Sequence, residues 1–390
     1  MKTKWPTIPL GKIAVSRSGS TNPAKYKTET FELYSIPAYD HGTPEVIPGK
    51  EIGSAKKNVR PNDVLLSRIA PHIQRVWVVG EKRGNRQIAS SKWIVYRSNE
   101  FYPPFLRYAL LTEYFHFQFL KTISGVGGSL LRARPEQVAK IQIPLPPFTE
   151  QKRIVAILDK ADAIRRKRQA AIKLADDFLR ATFLDMFGDP VTNPKRWNIS
   201  KCSEICTRIT VGIVVRPASY YQLSGVPALR SLNIRANHIE TNNLVYFSHE
   251  DNITKLAKTR VWKDDVLLVR SGQPGTCAVV PQELNGANAI DILIATPNKS
   301  EVFPEYLCHY FNYNGGKQLV LGEQQGQIQQ HLNVSSLCKA KIPVPPIKTQ
   351  REFIDCLNTV QKLKDKLIYS KDEAGVIFNS LTQRAFRGEL

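Results

Sequence analysis

Apolar residues recur at helical spacing in two long segments, and each segment follows a proline-rich stretch. In the first segment the members of a seven-residue frame are Ile154, Ile157, Ala161, Ile164, Ala171, Ala175, Phe178 and Thr182, flanked by Leu158, Ile172 and Leu179. In the second they are Phe353, Val360, Leu367, Ala374 and Leu381, joined by Leu357, Leu363, Ile377 and Phe378. A heptad pattern sustained over about four repeats predicts a coiled coil. Because each helix has one apolar stripe, we expect the two to pack antiparallel against each other.

Short runs of strand character occupy the segments before each predicted helix. In the first segment these runs are LGKIAV, DVLLSRI, RVWVVG and SKWIVYR, with Gly, Pro, Asn and Ser between them. A single helical pattern with prolines at its start covers residues 103–119. The glycine-rich stretch 121–134 predicts a loop, and a short helix or turn and a last strand follow it.

The second half of the chain repeats the first in this order of elements. Gln151 and Gln350 superpose at a displacement of 350 − 151 = 199 residues. The other anchor pairs are Asp63 with Asp265, Arg68 with Arg270, and Pro103 with Pro304. A period near 200 residues indicates a duplicated domain, because solenoid repeats are only a few tens of residues long.

We therefore predict an α+β protein in which two long antiparallel coiled-coil helices join two duplicated α/β domains with pseudo-two-fold symmetry. The predicted boundaries are a first domain at 1–147, a helix at 148–190, a second domain at 191–346 and a second helix at 347–390. A chain of 390 residues with 42% hydrophobic residues has enough apolar side chains for such cores. No apolar run approaches the roughly 18 residues of a membrane span, and prolines and glycine interrupt the first residues. We expect a soluble, cytoplasmic protein that does not bind membranes.

The net charge is +21, from 55 Lys and Arg against 34 Asp and Glu. A field of this sign attracts polyanions and accelerates their encounter, so nucleic acid is the leading candidate partner. A chain that is basic for solubility, or one that binds an acidic protein, is the alternative interpretation.

Motifs of common enzymes do not occur where their chemistry requires them. Gly316-Lys317 lacks the following Ser or Thr of a phosphate-binding loop. The YPPF sequence at 102–105 lacks the polar residue that a DNA amino-methyltransferase places before its prolines. Glu150 and Lys152 have the spacing of a nuclease motif, but they open a helix. The six cysteines form no CxxC pair. We predict no catalytic, cofactor-binding or metal site.

Polar and basic residues of the loops are the candidates for nucleic-acid contacts. Arg pairs with guanine, and Asn or Gln with adenine, in the major groove. For any one residue, a phosphate contact or a solvated surface position is the alternative. The candidates are Arg17, Lys25, Lys27, Arg68, His72, Gln74, Arg75, Arg132, Arg134, Arg208, Arg216, Tyr220, Arg230, Asn233, Arg235, His238, Arg270, Gln273, Gln325, Gln327 and Gln329.

Four stretches closely resemble the specificity subunit of type I restriction-modification systems. They are IPLPPFTEQKRIVAILDKADAI, GVPALRSLNI, DVLLVRSGQPGTCAVV and QIQQHLNVSSLCKAKIPVPP. The resemblance covers essentially the whole chain. It implies two target recognition domains, each reading one half of a split double-stranded DNA site, and two conserved helices that set the spacing.

The same resemblance implies the partners. The helices would hold two modification (methyltransferase) subunits, and restriction (translocase and nuclease) subunits would complete the complex. S-adenosylmethionine, ATP and magnesium would then belong to those partner subunits, and this chain would be non-catalytic. A fused single-chain restriction or methylation enzyme, and a coiled-coil scaffold with non-specific DNA binding, are the competing interpretations.

Overall fold

The computed structural model of the protein describes residues 4–15, 18–124, 131–321 and 331–390. The chain divides into two compact units. Unit 1 comprises Met1–Ala170 and Ile368–Leu390, and unit 2 comprises Ala171–Leu367. None of the helices in the described ranges is both long and apolar enough to cross a membrane.

Unit 1 contains a mixed five-stranded sheet and an antiparallel three-stranded sheet. In spatial order, the strands of the larger sheet are Ser20–Thr21, Lys56–Asn58, Arg86–Ala89, Thr30–Tyr34 and Glu45–Pro48. Those of the smaller sheet are Val76–Val78, Val64–Ser67 and Trp93–Tyr96. Two strand pairs complete the unit: Thr7–Pro9 with Gln142–Pro144, and Ile123–Ser124 with Arg132–Ala133. Its short helices are Ile36–His41, Pro103–Ala109, Glu113–Leu120 and Pro135–Val138.

Unit 2 contains a four-stranded antiparallel sheet and a mixed three-stranded sheet. The strands of the first are, in spatial order, Cys206–Val211, Ile292–Pro297, Val266–Val269 and Cys277–Val279. Those of the second are Val245–Phe247, Val226–Leu229 and Asn288–Ala289. Two strand pairs are Ile234–Arg235 with His238–Ile239, and Asn198–Lys201 with Lys341–Val344. Its short helices are Cys202–Ile205, His249–Ile253, Pro304–Asn312, Asn314–Leu321 and Val334–Lys339.

The duplication predicted from the sequence recurs in the strand pairing. Val64–Ser67 and Val266–Val269 are fully buried strands, and each lies between a following hairpin strand and a later antiparallel strand. Pro103 and Pro304 each begin a helix, where the missing N–H costs nothing. The mixed α+β class and the internal duplication are therefore confirmed.

Two local predictions for unit 1 are wrong. The LGKIAV stretch forms a 3₁₀ turn at Leu10–Lys12 and a single bridge from Ala14 to Tyr96, and the actual strand precedes it. The helical pattern at 103–119 is divided in two, because the hydroxyl of Thr112 accepts a hydrogen bond from the Phe115 N–H at 3.2 Å and starts a second helix.

Both predicted long helices form, and each begins directly after a Pro-Pro pair. Their bounds are Phe148–Phe187 and Ile347–Arg387. In unit 1, the Arg165 guanidinium lies 5.6 Å from the ring centroid of Phe378, and Arg168 donates a hydrogen bond to Ser370. From Arg165 to Arg168 the first helix advances, while its contact on the second helix moves back from Phe378 to Ser370. The two segments therefore run antiparallel.

The helix segments in unit 2 pair in the same sense. Lys364 forms an ion pair with Asp176, and the rings of Phe183 and Phe353 are 5.6 Å apart. From Asp176 to Phe183 the first helix advances, while its contact on the second helix moves back from Lys364 to Phe353. The antiparallel prediction is confirmed within each unit.

The apolar stripe differs in detail from the predicted heptad frame. Ile164, Phe178, Leu363 and Ile377 were expected in the seam but are 48%, 52%, 53% and 57% exposed. Buried positions in unit 2 advance by four residues at a time, at 175, 179, 183 and 187. A heptad seam would instead alternate steps of three and four residues and would bury Phe178 after Ala175. Because the steps here are all four residues, Phe178 falls outside the buried face.

Candidate nucleic-acid interface

A buried aspartate at the start of the central strand stabilises each unit. The Asp63 carboxylate accepts hydrogen bonds from the Arg60 N–H at 2.9 Å and from Arg97 Nε and Nη2 at 2.6 and 2.7 Å. Asp265 accepts from Arg208 Nη2 at 2.6 Å, and burial raises the pKa of its carboxyl against the opposing effect of its hydrogen-bond donors. The guanidinium of Arg208, a candidate DNA contact, is thus engaged with a buried carboxylate.

Two further candidates are paired with carboxylates. Arg75 binds both carboxylate oxygens of Asp40 at 2.9 Å, and this hydrogen bond lowers the pKa of that carboxyl. Arg235 lies 3.2 Å from Glu240, and the Arg235 side chain remains 52% exposed. Arg75 is only 11% exposed, so its role is to fix the loop around it, whereas Arg235 remains accessible to a partner.

The prediction for Asn233 is wrong. Asn233 is fully buried, and its Oδ1 accepts from the Arg230 N–H at 3.0 Å. Its Nδ2 donates to the carbonyls of Glu240 and Asn242 at 3.0 and 3.2 Å. Since the amide satisfies the backbone of its own loop, it cannot also read a base edge.

Three other candidates make internal contacts with part of the side chain. Gln74 Nε2 donates to the Leu111 carbonyl at 3.4 Å. The ring of Tyr220 packs edge-on against Phe247, with centroids 6.2 Å apart. Arg230 donates to a backbone carbonyl of its own loop. These contacts of Gln74, Tyr220 and Arg230 help to fix the conformation of the loops in which they lie.

A group of candidates is exposed and carries unused polar groups. Among the described residues, their side chains have neither a hydrogen bond nor an ion pair. They are Lys25, Lys27, His72, Arg132, Arg134, Arg216, His238 and Gln273. Gln273 lies in the turn between two strands of the unit 2 sheet, and His238 lies in the short hairpin of the same unit. Such groups can bind phosphates or base edges without first breaking internal contacts.

Arg68 and Arg270 occupy equivalent positions, directly after the central strand, but have opposite electrostatic surroundings. Arg270 is 15% exposed, and its Nη1 lies 2.5 Å from Asp291. Asp291 precedes the strand that pairs with the central strand, and in unit 1 the equivalent position is Lys92.

Arg68 has no carboxylate partner among the residues that the structure describes. Its Nε is buried without a hydrogen-bond acceptor. The neighbouring Lys57 has a lowered pKa, first because of burial and then because of the Arg68 charge. Two neighbouring cations without a carboxylate between them are suited to binding an anion. Lys57 was not among the candidates predicted from the sequence.

Two exposed apolar residues beside the candidate Arg216 in a loop of unit 2 were also absent from the candidates. Val215 and Leu223 are 77% and 102% exposed, and Arg216 between them adopts a left-handed φ of 45°. A non-glycine residue in this conformation is strained, and such strain concentrates at functional loops. Apolar side chains next to an arginine suit the methyl group of thymine. In the sequence, two consecutive valines before an arginine, VVR at 214–216, could have indicated this loop as a candidate.

Four candidates, Arg17, Gln325, Gln327 and Gln329, lie outside the described residues. The nuclease-like pair at Glu150 and Lys152 has a structural explanation, since Glu150 forms an ion pair with Arg153 at 2.9 Å. No cluster of three or more potential metal ligands is found in the described ranges.

Comparisons with known proteins agree on one family. The family model described as the type I restriction modification DNA specificity domain matches residues 3–174 and 194–373. The EcoBI specificity subunit of Escherichia coli is 25% identical over 279 residues, and the EcoKI specificity subunit of Escherichia coli strain K12 is 23% identical over 291. These alignments cover 64% and 68% of this chain, and 58% and 61% of the two relatives.

A chain in a solved structure of a type I R-M system, studied for complex assembly and conformational transition, has a similar fold. It superposes with a TM-score of 0.61 at 21% identity, covering 99% of this chain and 98% of that one. Because the family model matches both halves and together most of the chain, this protein belongs to the family of type I restriction modification DNA specificity domains.

Proposed function

We propose that this chain is the DNA-reading subunit of a type I restriction-modification complex, in which unit 1 and unit 2 each read one half of a split double-stranded site. The duplication carries this proposal: the family model matches twice, and both matches contain the same buried central strand and the same proline-started helix. Two related modules in one chain suit a target made of two half-sites.

Two sets of exposed side chains supply the binding chemistry. Lys25 and Lys27 suit phosphates, which gives affinity that falls with salt but carries no sequence information. Arg216, His238 and Gln273 have free hydrogen-bonding groups in unit 2 and suit base edges. The chain would act without chemistry of its own in the cytoplasm.

The long helices are the proposed docking sites for two modification subunits. In unit 2, Leu174 and Phe178 lie one turn apart on the same helix face and are 69% and 52% exposed. In unit 1, Tyr369 and Val376 lie two turns apart and are 68% and 71% exposed. Apolar side chains clustered on an exposed face favour a protein partner. Restriction subunits would join this assembly, and S-adenosylmethionine, ATP and magnesium would be bound by the partners.

Methylome sequencing of cells that carry the chain with its modification subunits tests the proposal. The expected result is methylated adenine in a bipartite motif. Replacing residues 1–147 with those of a relative should change one half of the motif and leave the other unchanged. A change in both halves, or methyl transfer by the purified chain alone, would contradict the proposal.

A pull-down with the modification subunit tests the docking sites. Phe178→Glu should reduce co-purification because it places a charge in the apolar patch. Gln169→Glu, at an exposed position of the same helix, adds the same single negative charge and is the matched control. Equal loss in both variants would show that general charge, and not the apolar face, controls assembly.

A further inference from the structure

Unit 1 has a basic cleft beside its short Ile123–Ser124 and Arg132–Ala133 strands. The cleft has a volume of about 430 Å³ and lies between the helix Glu113–Leu120, the helix Pro135–Val138 and the strand that begins at Gln142. Its lining includes the cations Lys121, Arg134 and Lys140 and the amides of Gln118, Gln137 and Gln142. None of the lining residues that the structure describes is a carboxylate.

The three cations of this cleft are not neutralised. In the part of the chain that the structure describes, the side chains of Arg134 and Lys140 make no ion pair or hydrogen bond, and Lys121 lies 4.1 Å from the ring centroid of Phe117. Arg75 and Arg97 of the same unit are, in contrast, bound to carboxylates at 2.9 and 2.6 Å. The cleft therefore carries three positive charges that no carboxylate among the described residues pairs with.

Comparison with unit 2 shows that the fold does not require this charge. At the duplication displacement, 333 − 134 = 199, Asn333 replaces Arg134 before the corresponding short helix. The Asn333 side chain accepts a hydrogen bond from the Ser336 N–H at 2.9 Å and caps that helix. Arg134 occupies the same capping position without a side-chain cap. Arginine at this position forgoes a stabilising contact that asparagine would make, so helix capping does not account for Arg134.

We propose that this cleft binds phosphate groups of the DNA backbone and clamps the duplex on unit 1. The proposal rests on the function proposed above and assigns Lys121 and Lys140, with Arg134, to backbone contact rather than base reading. Long, exposed ammonium and guanidinium groups suit phosphate oxygens, and the amides of Gln118, Gln137 and Gln142 can donate further hydrogen bonds. A small free anion such as a nucleotide shares this chemistry, and the experiment below separates the two sources.

The experiment measures DNA affinity of the complex of the full chain with its modification subunits over a series of salt concentrations. Each lost phosphate contact should reduce the slope of log affinity against log salt by about 0.9. The triple variant Lys121→Gln, Arg134→Asn and Lys140→Gln should therefore lose about 2.7 from the slope. The ratio of affinities for target and scrambled duplexes should not change, because phosphates carry no sequence identity.

Two controls keep this result specific. Arg134→Asn alone should keep or raise the thermal midpoint, because it restores the cap seen at Asn333, while still reducing the slope. Changing Lys50, Lys82 and Arg83 to Gln removes the same charge from exposed positions that do not line the cleft. This control should change the slope much less.

Several outcomes would overturn the inference. They are an unchanged slope in the triple variant, an equal loss in the control, a lower thermal midpoint in Arg134→Asn, and competition by ATP with no effect of the variants on duplex binding. If the unmodified complex discriminates its target while the triple variant behaves identically, only this inference fails. If the unmodified complex shows no preference for any sequence, the proposed function itself fails.

Discussion

Gln151 and Gln350 make the same three hydrogen bonds, one in unit 1 and the other in unit 2. Gln151 Oε1 accepts from the Tyr102 N–H at 2.7 Å. Its Nε2 donates to the carbonyls of Glu100 and Pro146 at 2.8 and 2.9 Å. The side chain is 1% exposed, so the first turn of the long helix is fixed to the segment that starts a short helix.

The second glutamine repeats each contact. Gln350 Oε1 accepts from the Phe303 N–H at 2.8 Å, and Nε2 donates to the carbonyls of Glu301 and Pro345 at 3.1 and 2.8 Å. A glutamine amide offers one acceptor and two donor hydrogens in this geometry, which no other side chain of its length provides. The shared residue therefore marks where the short-helix segment of each unit is attached to the long helix.

Replacing Gln151 with Ala should destabilise unit 1 by about 2–4 kcal/mol, because it removes three hydrogen bonds of a buried side chain. Hydrogen exchange should show faster exchange of the Tyr102 amide, while the Phe303 amide keeps its protection. Gln142→Ala, at an exposed position, is the matched control. Loss of protection at both amides would argue against a local role.

Arg208→Gln should act on stability and not on DNA recognition. The variant leaves the fully buried Asp265 carboxylate without its cation, which should destabilise unit 2 by roughly 2 kcal/mol at neutral pH. Burial already raises the pKa of this carboxyl, so removal of the arginine should raise the pKa further. The folded variant then protonates the Asp265 carboxyl more readily, and a neutral carboxyl does not need the arginine. The loss of stability relative to the unmodified protein should therefore diminish as pH falls.

Urea unfolding at several pH values measures this effect. Arg235→Gln is the control and should change stability little, because the Arg235–Glu240 ion pair is itself partly exposed to solvent. A large change in target sequence with unchanged stability in Arg208→Gln would show that Arg208 reads DNA after all.

Arg68 and Arg270 should respond differently to the same substitution. Arg68→Gln should weaken DNA binding and reduce its salt dependence by about 0.9 in slope, because this cation has no acidic partner among the described residues. Arg270→Gln should instead destabilise unit 2, since it leaves Asp291 unpaired. This difference can be checked by salt titration of DNA binding and by the thermal midpoint of each variant. If Arg68→Gln and Arg270→Gln gave the same salt slope and the same midpoint, the prediction would be contradicted.

Acid should destabilise unit 2 through His309. Burial, assisted by the Lys364 charge, lowers the pKa of His309 to about 4, whereas an unfolded histidine titrates near 6.5. Between these values the unfolded state binds more protons, so stability falls as pH drops through this window. The loss should be on the order of 3 kcal/mol, because the two pKa values differ by about 6.5 − 4 = 2.5 units and one unit corresponds to about 1.4 kcal/mol.

Urea midpoints measured from pH 7 downward test this dependence. His309→Phe preserves an aromatic ring against Phe183 and Phe353 and should flatten the profile across that window. An identical profile in the variant would assign the acid sensitivity to another group.

Inserting one heptad into both long helices should lengthen the preferred gap between the half-sites. Seven residues add roughly 10 Å of helix, about three base pairs at ~3.4 Å each. Methylome sequencing reads the gap directly. Insertion into one helix only is the control and should impair assembly, because the antiparallel contacts lose their register. An unchanged gap would show that the helices do not set the spacing.

The sequence alone determined the duplication, the two long helices and the α+β class. These follow from local signals: Pro-Pro pairs stop the preceding strand, heptad spacing produces an apolar stripe, and buried DVLL segments recur near 200 residues. It also identified the family, because the residues that connect each unit to its helix, such as Gln151 and Gln350, have fixed structural roles.

The tertiary structure decided which polar residues are available to a partner. In sequence, Arg68, Arg208 and Arg270 are equivalent loop cations, yet two are bound to carboxylates brought close by strands far away in the chain. Asn233 has an amide that could pair with adenine, but that amide is already hydrogen-bonded to the backbone of its own loop. Whether a side chain is free depends on partners that only long-range folding supplies, and a local pattern contains no information about them.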